Sequence, residues 1–296
     1  MKDLLRTQDL SRTDVELLLD TAADFAKNPL RSNTALANKT VAIYMTKPST
    51  RTRLSSESAV AHLGGTPIFI RGDELQLGRG ETIEDTAKII SGYCSALIIR
   101  TFAQSDVDHP TQLLADWLTI RENFGTDIAG RKFVYLGDGN NMSHAWLIMG
   151  AIMGAHVVAA TPSGKWAPDP VVVAVAKNIA ANSGGKVEVT NDPEAAAKDA
   201  SVLYTDVWMS MGDSESDRKE KVQALSPFAV TEQLMKLASK DSLFMHCLPA
   251  HRGEEVEANV IDGPRSVIWR EAYHRRTTIQ AILYHLVRGD LKGYTH

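Results

Sequence analysis

Cysteine is nearly absent: Cys94 and Cys247 are the only two in 296 residues, far apart and without CxxC spacing. Their scarcity excludes a disulfide-stapled fold and points to a reducing compartment. Basic residues show no excess either, with 32 Lys and Arg against 36 Asp and Glu, a net charge of −4. A nucleic-acid binder needs a basic face that this balance does not supply, so the expected partners are small molecules, with no nucleic acid and no membrane. Long apolar runs are missing too. No stretch reaches about 18 apolar residues, and Met1-Lys2-Asp3 places charges where a signal peptide needs an apolar segment, so the chain reads as cytoplasmic. Internal repeats and low-complexity tracts are also lacking.

What is present is alternation. At 296 residues the chain exceeds one ordinary core, which implies two α/β domains. Short, largely apolar runs at 40–45, 66–70, 96–99, 132–136, 156–160, 187–189, 202–205 and 242–245 alternate with helical patterns, the signature of parallel sheets flanked by helices. The turn-rich segment Gly125 to Gly130 marks the boundary, giving domains 1–124 and 125–296, both Rossmann-like. The last helix, with Arg275, Arg276, Ile279, Ile282 and Leu283, is expected to pack back on the first domain. From Thr101 to His109 the link is shorter than the dozen or more residues of a parallel crossover, so the first domain is expected to be one helix–strand unit short.

Several segments carry candidate chemistry. Lys47-Pro48-Ser49-Thr50-Arg51-Thr52-Arg53 lies between a strand and a helix, placing hydroxyls and two guanidiniums on a helix's first turn. Unpaired N–H groups, hydroxyls and an Arg fork suit a phosphate there, and an ordinary Ser/Thr cap with solvated arginines is the alternative. Arg100-Thr101 ends a strand, where α/β sheets bind ligands. His109 to Gln112 opens a helix, and the loop carrying Gln76 is either a site loop or a solvated connector. In Gly137 to Asn141 a dinucleotide fingerprint would need glycine where Met142 stands, so the asparagines read as ligand hydrogen-bonders or turn residues. Asp206 to Gly212 follows another strand, and the charged run Asp213 to Lys221 reads as a solvated loop. His246-Cys247-Leu248-Pro249 lacks the companions of a zinc site.

Taken in order, STRTR at 49–53, Arg100-Thr101, HPTQ at 109–112, GDGNN at 137–141, DVWMSMG at 206–212 and HCLP at 246–249 resemble the aspartate/ornithine carbamoyltransferase family. The resemblance runs almost end to end, and the SMG loop with HCLP resembles the ornithine branch. It implies transfer of the carbamoyl group of carbamoyl phosphate to the side-chain amine of L-ornithine, giving citrulline and phosphate, as in arginine biosynthesis. By resemblance, Ser49, Thr50, Arg51 and Thr52 hold the phosphate, while Arg100, His109 and Gln112 surround the carbamoyl group. Gln76 reaches a neighbouring subunit's site, and Cys247, Leu248 and Arg275 complete the carbamoyl-phosphate contacts. Asn141, Asp206, Ser210 and Met211 bind ornithine, and catalysis falls to Arg51, Arg100, His109, Asp206 and Cys247. No metal or organic cofactor is implied, and the assembly is a homotrimer or trimer-based. The chain departs from the family pattern before His109, at Ser56, where an aromatic is usual, and at Tyr273-His274, where Glu-Asn usually precedes the arginine. A carbamoyltransferase for another amine such as putrescine, and an impaired paralogue, are the competing expectations.

Overall fold

The computed structural model describes residues 3–77, 80–101, 108–128, 130–209 and 216–293. Packing divides the chain into two units, Met1–Asp106 with Tyr273–His296, and Val107–Ala272.

The first unit begins with α1 (Arg12–Lys27), started by a capping box in which the Ser11 hydroxyl accepts the Asp14 N–H and the Asp14 carboxylate accepts the Ser11 N–H. Its stripe of Val15, Leu18, Leu19 and Ala22 is buried. There follow β1 (Thr40–Met45), α2 (Thr50–His62), β2 (Thr66–Arg71), α3 (Ile83–Tyr93) and β3 (Ala96–Arg100). The strands form a parallel sheet in the order β2-β1-β3. Central β1 buries Val41, Ala42 and Ile43 completely. Its neighbours do not: Ile68, Leu97 and Ile99 are 44%, 38% and 55% exposed, and Ile83 and Tyr93 of α3 are 79% and 80% exposed. This apolar surface fits the short link after β3, which leaves no chain for another covering crossover.

The second unit opens with α4 (Pro110–Phe124) and continues through β4 (Lys132–Leu136), α5 (Asn141–Ile152), β5 (His156–Ala160), α6 (Pro170–Ser183), β6 (Lys186–Thr190), α7 (Pro193–Ala197), β7 (Val202–Thr205), α8 (Arg218–Leu225), α9 (Glu232–Leu237), β8 (Leu243–His246) and α10 (Ala258–Ile261). Its parallel sheet runs β6-β5-β4-β7-β8. An aromatic cluster fixes α4 within this unit. Trp117 meets Trp146 of α5 with ring centroids 5.3 Å apart, and Trp146 meets Tyr204 of β7 at 4.8 Å. The packing division therefore does not coincide with the sequence break at 124/125. The charged run also differs from its expected solvated loop: Arg218 to Lys221 lie in α8, and Lys221 is 3% exposed, its ammonium 2.7 Å from the buried Asp138 carboxylate.

The closing helix, α11 (Ile268–Arg288), starts in the second unit and continues in the first. There Arg276 donates to His62 Nδ1 at 2.8 Å and Gln280 donates to the Pro29 carbonyl at 2.7 Å. Among the described residues no helix is long and apolar enough to cross a membrane.

Candidate active site

Both sheets reverse direction of winding beside a central strand, and ligands of open parallel sheets bind beyond the carboxyl ends of the strands at such switch points. In the first sheet the switch lies between β1 and β3, in the second between β4 and β7. The candidate residues follow from those positions.

Beyond β1, Ser49 caps α2. Its hydroxyl accepts the Thr52 N–H at 3.4 Å and donates to Thr52 Oγ1 at 3.0 Å. Thr50 is exposed on the first turn, Arg51 is half-buried and Thr52 is buried. The helix thus points unpaired N–H groups and its positive dipole end at the place where the hydroxyls gather. Arg275 of α11, itself buried, brings its guanidinium to this turn and donates to Thr52 Oγ1 at 3.4 Å. On the other side of β1, half-buried Arg100 is level with Met45, and its carbonyl accepts the Thr46 N–H at 3.0 Å. Arg53 is a correction to the two-guanidinium cradle: it pairs with Glu57 at 3.0 Å and lies 3.7 Å over the Phe69 ring, so it serves α2 and β2. Gln76 stands exposed on the loop after β2.

In the second unit, Asp206 leaves the end of β7 as a buried carboxylate. Oδ1 accepts the Cys247 S–H at 2.9 Å and the Val207 N–H at 2.8 Å, and Oδ2 accepts the Asn140 amide at 3.1 Å. Asn140 is held in turn, its Oδ1 accepting the Met142 and Ser143 N–H groups as the cap of α5 and the Tyr135 hydroxyl at 3.2 Å. So Asn140 orients Asp206, while Asn141, the asparagine singled out in the sequence, is the half-buried first residue of α5. Gly139 is structural: a Cβ there would stand 2.2 Å from the Ala167 carbonyl carbon. Ser210 and Met211 lie outside the described residues.

Cys247 follows β8, and burial first, then the charge and hydrogen bond of Asp206, push its thiol well up. It is therefore a neutral S–H donor at neutral pH, not a thiolate nucleophile. Alkylation of Cys247 by iodoacetamide at pH 7.5, followed by peptide mass spectrometry, is expected to be at least about tenfold slower than for an unperturbed thiol. A rate equal to that of a free thiol contradicts this assignment. Leu248, half-buried and at φ 56°, donates its N–H to His246 Nδ1 at 2.8 Å, which fixes the proton of His246 on Nε2, 3.2 Å from Glu255 Oε1. Asp206, His246 and Cys247 bring their ligand atoms within 4.8 Å of one another. Both nitrogens of His246 and the thiol are already engaged within the protein, so a metal would have to break these bonds.

At the start of α4, half-buried His109 is the N-cap, with its N–H on Asp108 Oδ1 at 2.7 Å. Gln112, one turn on, is buried and donates from Nε2 to Asp116 Oδ1 at 2.7 Å and to Glu271 Oε1 at 3.0 Å. Glu271 also accepts the Tyr204 hydroxyl at 3.4 Å and, through Oε2, the His246 N–H at 3.0 Å. Sequence reading missed Asn140, Asp116 and Glu271. The first sits in a motif whose other asparagine was chosen, and the other two belong to no motif.

Taken unit by unit, the structure defines a class, a parallel α/β protein whose first unit offers a hydroxyl- and guanidinium-lined helix N-terminus fit for an oxyanion and whose second unit offers a buried carboxylate fit for a cation. Comparison with known proteins narrows it. The model of the aspartate/ornithine carbamoyltransferase carbamoyl-P binding domain matches residues 2–122, and that of the Asp/Orn binding domain matches residues 129–286. The chain belongs to the aspartate/ornithine carbamoyltransferase family. It is 45% identical to an ornithine carbamoyltransferase of Pyrococcus horikoshii over 99% of this chain and 98% of the relative. That alignment spans 313 positions, more than this chain has residues, so the relative carries segments without a counterpart here. A catabolic ornithine carbamoyltransferase of Thermoplasma volcanium is 41% identical over 97% of this chain and 98% of its own. Among solved structures, the ornithine carbamoyltransferase of Pyrococcus furiosus superposes with a TM-score of 0.91 at 44% identity, covering 98% of each chain. The anabolic enzyme of Campylobacter jejuni gives 0.90 at 32% identity, covering 98% of this chain and all of the other.

Proposed function

We propose that the chain is an ornithine carbamoyltransferase, carrying the carbamoyl group of carbamoyl phosphate to the side-chain amine of L-ornithine. The observation that carries this reading is the buried Asp206 carboxylate, oriented by Asn140, Cys247 and the Val207 N–H at the carboxyl end of β7. An anion so placed suits a substrate that arrives as an ammonium and attacks as an amine.

Ser49, Thr50, Arg51 and Thr52 hold the phosphate, with Arg275 donating at the same helix turn. Arg100, His109 and Gln112 address the carbamoyl group, along with Cys247 and Leu248. Ornithine Nδ has an ordinary pKa of about 10, so one proton passes to solvent before attack while Asp206 orients the amine, and a second leaves the nitrogen with the departing phosphate. The attack turns the carbamoyl carbonyl into an oxyanion, which Arg100 and His109 stabilise, and the phosphate departs into N–H groups, hydroxyls and guanidiniums already in place. Asn141, Ser210 and Met211 take ornithine's α-amino and carboxylate groups. By function we assign 1–124 to carbamoyl phosphate and 125–296 to ornithine, in a cytoplasmic, trimer-based assembly with Gln76 serving a neighbouring copy. The relatives' names include both anabolic and catabolic enzymes, so their similarity supports the shared chemistry, while an arginine-synthetic role is our assignment.

Citrulline formation by the purified chain tests this directly, with carbamoyl phosphate and L-ornithine, and with putrescine and aspartate in parallel. Ornithine-dependent turnover is expected, from protein whose sedimentation reads three chains or a multiple. Turnover restricted to putrescine, or none from folded protein, sinks the ornithine reading.

A further inference from the structure

We propose that His251, Glu254 and Glu255, in the turn that follows β8, form a binding site for a divalent first-row transition cation of the Mn²⁺ type, separate from the residues assigned to either substrate. The turn is made by Gly253 at φ 89° and closed by the Glu254 N–H, which donates to the His251 carbonyl at 3.0 Å, so residues 254 and 255 fold back beside 251. Each of the three side chains brings a ligand atom within 4.8 Å of the other two. Acidic residues gather on many surfaces without an ion, and here it is burial that points to one. Glu255 is fully buried, and its Oε2 has no hydrogen-bond partner. Oε1 of the same carboxylate is satisfied, by His246 Nε2 at 3.2 Å and by the His251 N–H. Glu254 repeats the pattern: Oε1 accepts from the Arg218 guanidinium, and Oε2 is buried without a partner. Two consecutive carboxylates thus spend one oxygen each on the protein and hold the other back.

A buried carboxylate oxygen without a donor is costly, and two close together are more so unless a cation stands between them. The arginines of this turn are committed elsewhere, Arg218 to Oε1 of Glu254 and Arg252 in a fork onto Asp262 at 2.7 and 2.8 Å. Facing Glu255 Oε2 is His251 Nδ1, 3.8 Å away on an exposed ring and beyond hydrogen-bond reach. Metal–ligand bonds of about 2.1 Å set the ligand atoms of one ion about 3 to 4 Å apart, so a small rotation of this ring closes the set. One imidazole and two carboxylates suit Mn²⁺ and its neighbours. The imidazole disfavours Mg²⁺ and Ca²⁺, which prefer oxygen shells, and the set contains no thiolate to select a soft ion. Glu255 also carries the effect inward. With Oε2 on the ion and Oε1 on His246 it joins metal, carboxylate and imidazole in one chain, and His246 Nδ1 accepts the Leu248 N–H at 2.8 Å. The ion is thereby a strut for the segment that carries Cys247 and Leu248.

Titration of the full chain with Mn²⁺, followed by electron paramagnetic resonance, tests the site, because the sharp signal of the aqueous ion is lost on binding. Wild type is expected to take up one Mn²⁺ per chain and to melt at a higher temperature with the ion than without it. His251→Ala, which keeps the backbone N–H on Glu255, and Glu254→Gln are each expected to weaken Mn²⁺ at least about tenfold and to lose the rise in melting temperature. Cys247→Ser should bind Mn²⁺ within about twofold of wild type, which separates this site from the cluster of Asp206, His246 and Cys247. Mg²⁺ in about tenfold excess should displace little of the bound Mn²⁺. No uptake by folded wild type, uptake unchanged in His251→Ala and Glu254→Gln, uptake lost in Cys247→Ser instead, or displacement by an equal concentration of Mg²⁺ overturns the proposal. If Glu254→Gln does not fold, His251→Ala, a change on an exposed ring, decides alone. Binding and melting are read without turnover, so the result is independent of the carbamoyl-transfer reading.

Discussion

Replacing Asp206 by Asn is expected to lower kcat/KM for ornithine by about 10²–10³-fold, the usual loss when one preorganised electrostatic group leaves a reacting centre. The change is nearly isosteric, so its effect comes from charge and from hydrogen-bond polarity. Oδ1 accepts from Cys247 and Val207 and Oδ2 accepts from Asn140, so an amide nitrogen at either position meets a donor. Asn140 cannot answer by turning its own amide over. Its Oδ1 is fixed by two N–H groups at the start of α5 and by the Tyr135 hydroxyl. The variant therefore loses the anion that receives the amine and also disturbs the side chains that aim it. Affinity for carbamoyl phosphate, measured by calorimetry on the same protein, is expected to stay within about threefold. An unchanged kcat/KM for ornithine removes Asp206 from the reaction.

Particular residues show why some of this site could be read in the sequence and some could not. Ser49 and Asp206 could be read, because a helix cap and the residue after a strand are local features, set by neighbours one to four positions away. Arg53 could not be told from Arg51 by composition. Only the approach of Phe69, from the adjacent strand, shows that Arg53 is occupied. Asn140 and Asn141 are neighbours, and which one faces Asp206 depends on where α5 begins, the least legible property of a helix. Glu271 was invisible for a different reason: it lies 159 residues from the Gln112 it holds, and a glutamate in an amphipathic helix ordinarily reads as solvated. The fold class was legible because alternating strands and helices with short links leave few ways to bury both faces of a sheet. The shortness of the link after Thr101 could be counted from the sequence, and Ile68, Leu97 and Ile99 of the first sheet are exposed.

Lys221 carries the largest expected effect on stability. Lys221→Met is expected to destabilise the protein by about 3–5 kcal/mol, because it takes the ammonium from a buried carboxylate instead of removing both. Asp138 is buried and 2.7 Å from Nζ, and Nζ also lies 5.1 Å over the Trp166 ring. At this chain length that corresponds to a fall in melting temperature on the order of 10 °C, read by differential scanning calorimetry. The paired change Asp138→Leu/Lys221→Met should recover much of the loss, since an apolar pair of similar volume replaces a buried ion pair at little net cost. Additive losses in the double variant would show that each side chain is held by something other than its partner. The pair also matters for function through chain connectivity. Asp138 is two residues before Asn140, so the tie to α8 steadies the turn from which Asn140 reaches Asp206. Activity of Lys221→Met with ornithine should therefore fall at temperatures below its unfolding transition, as the turn loosens before the unit melts.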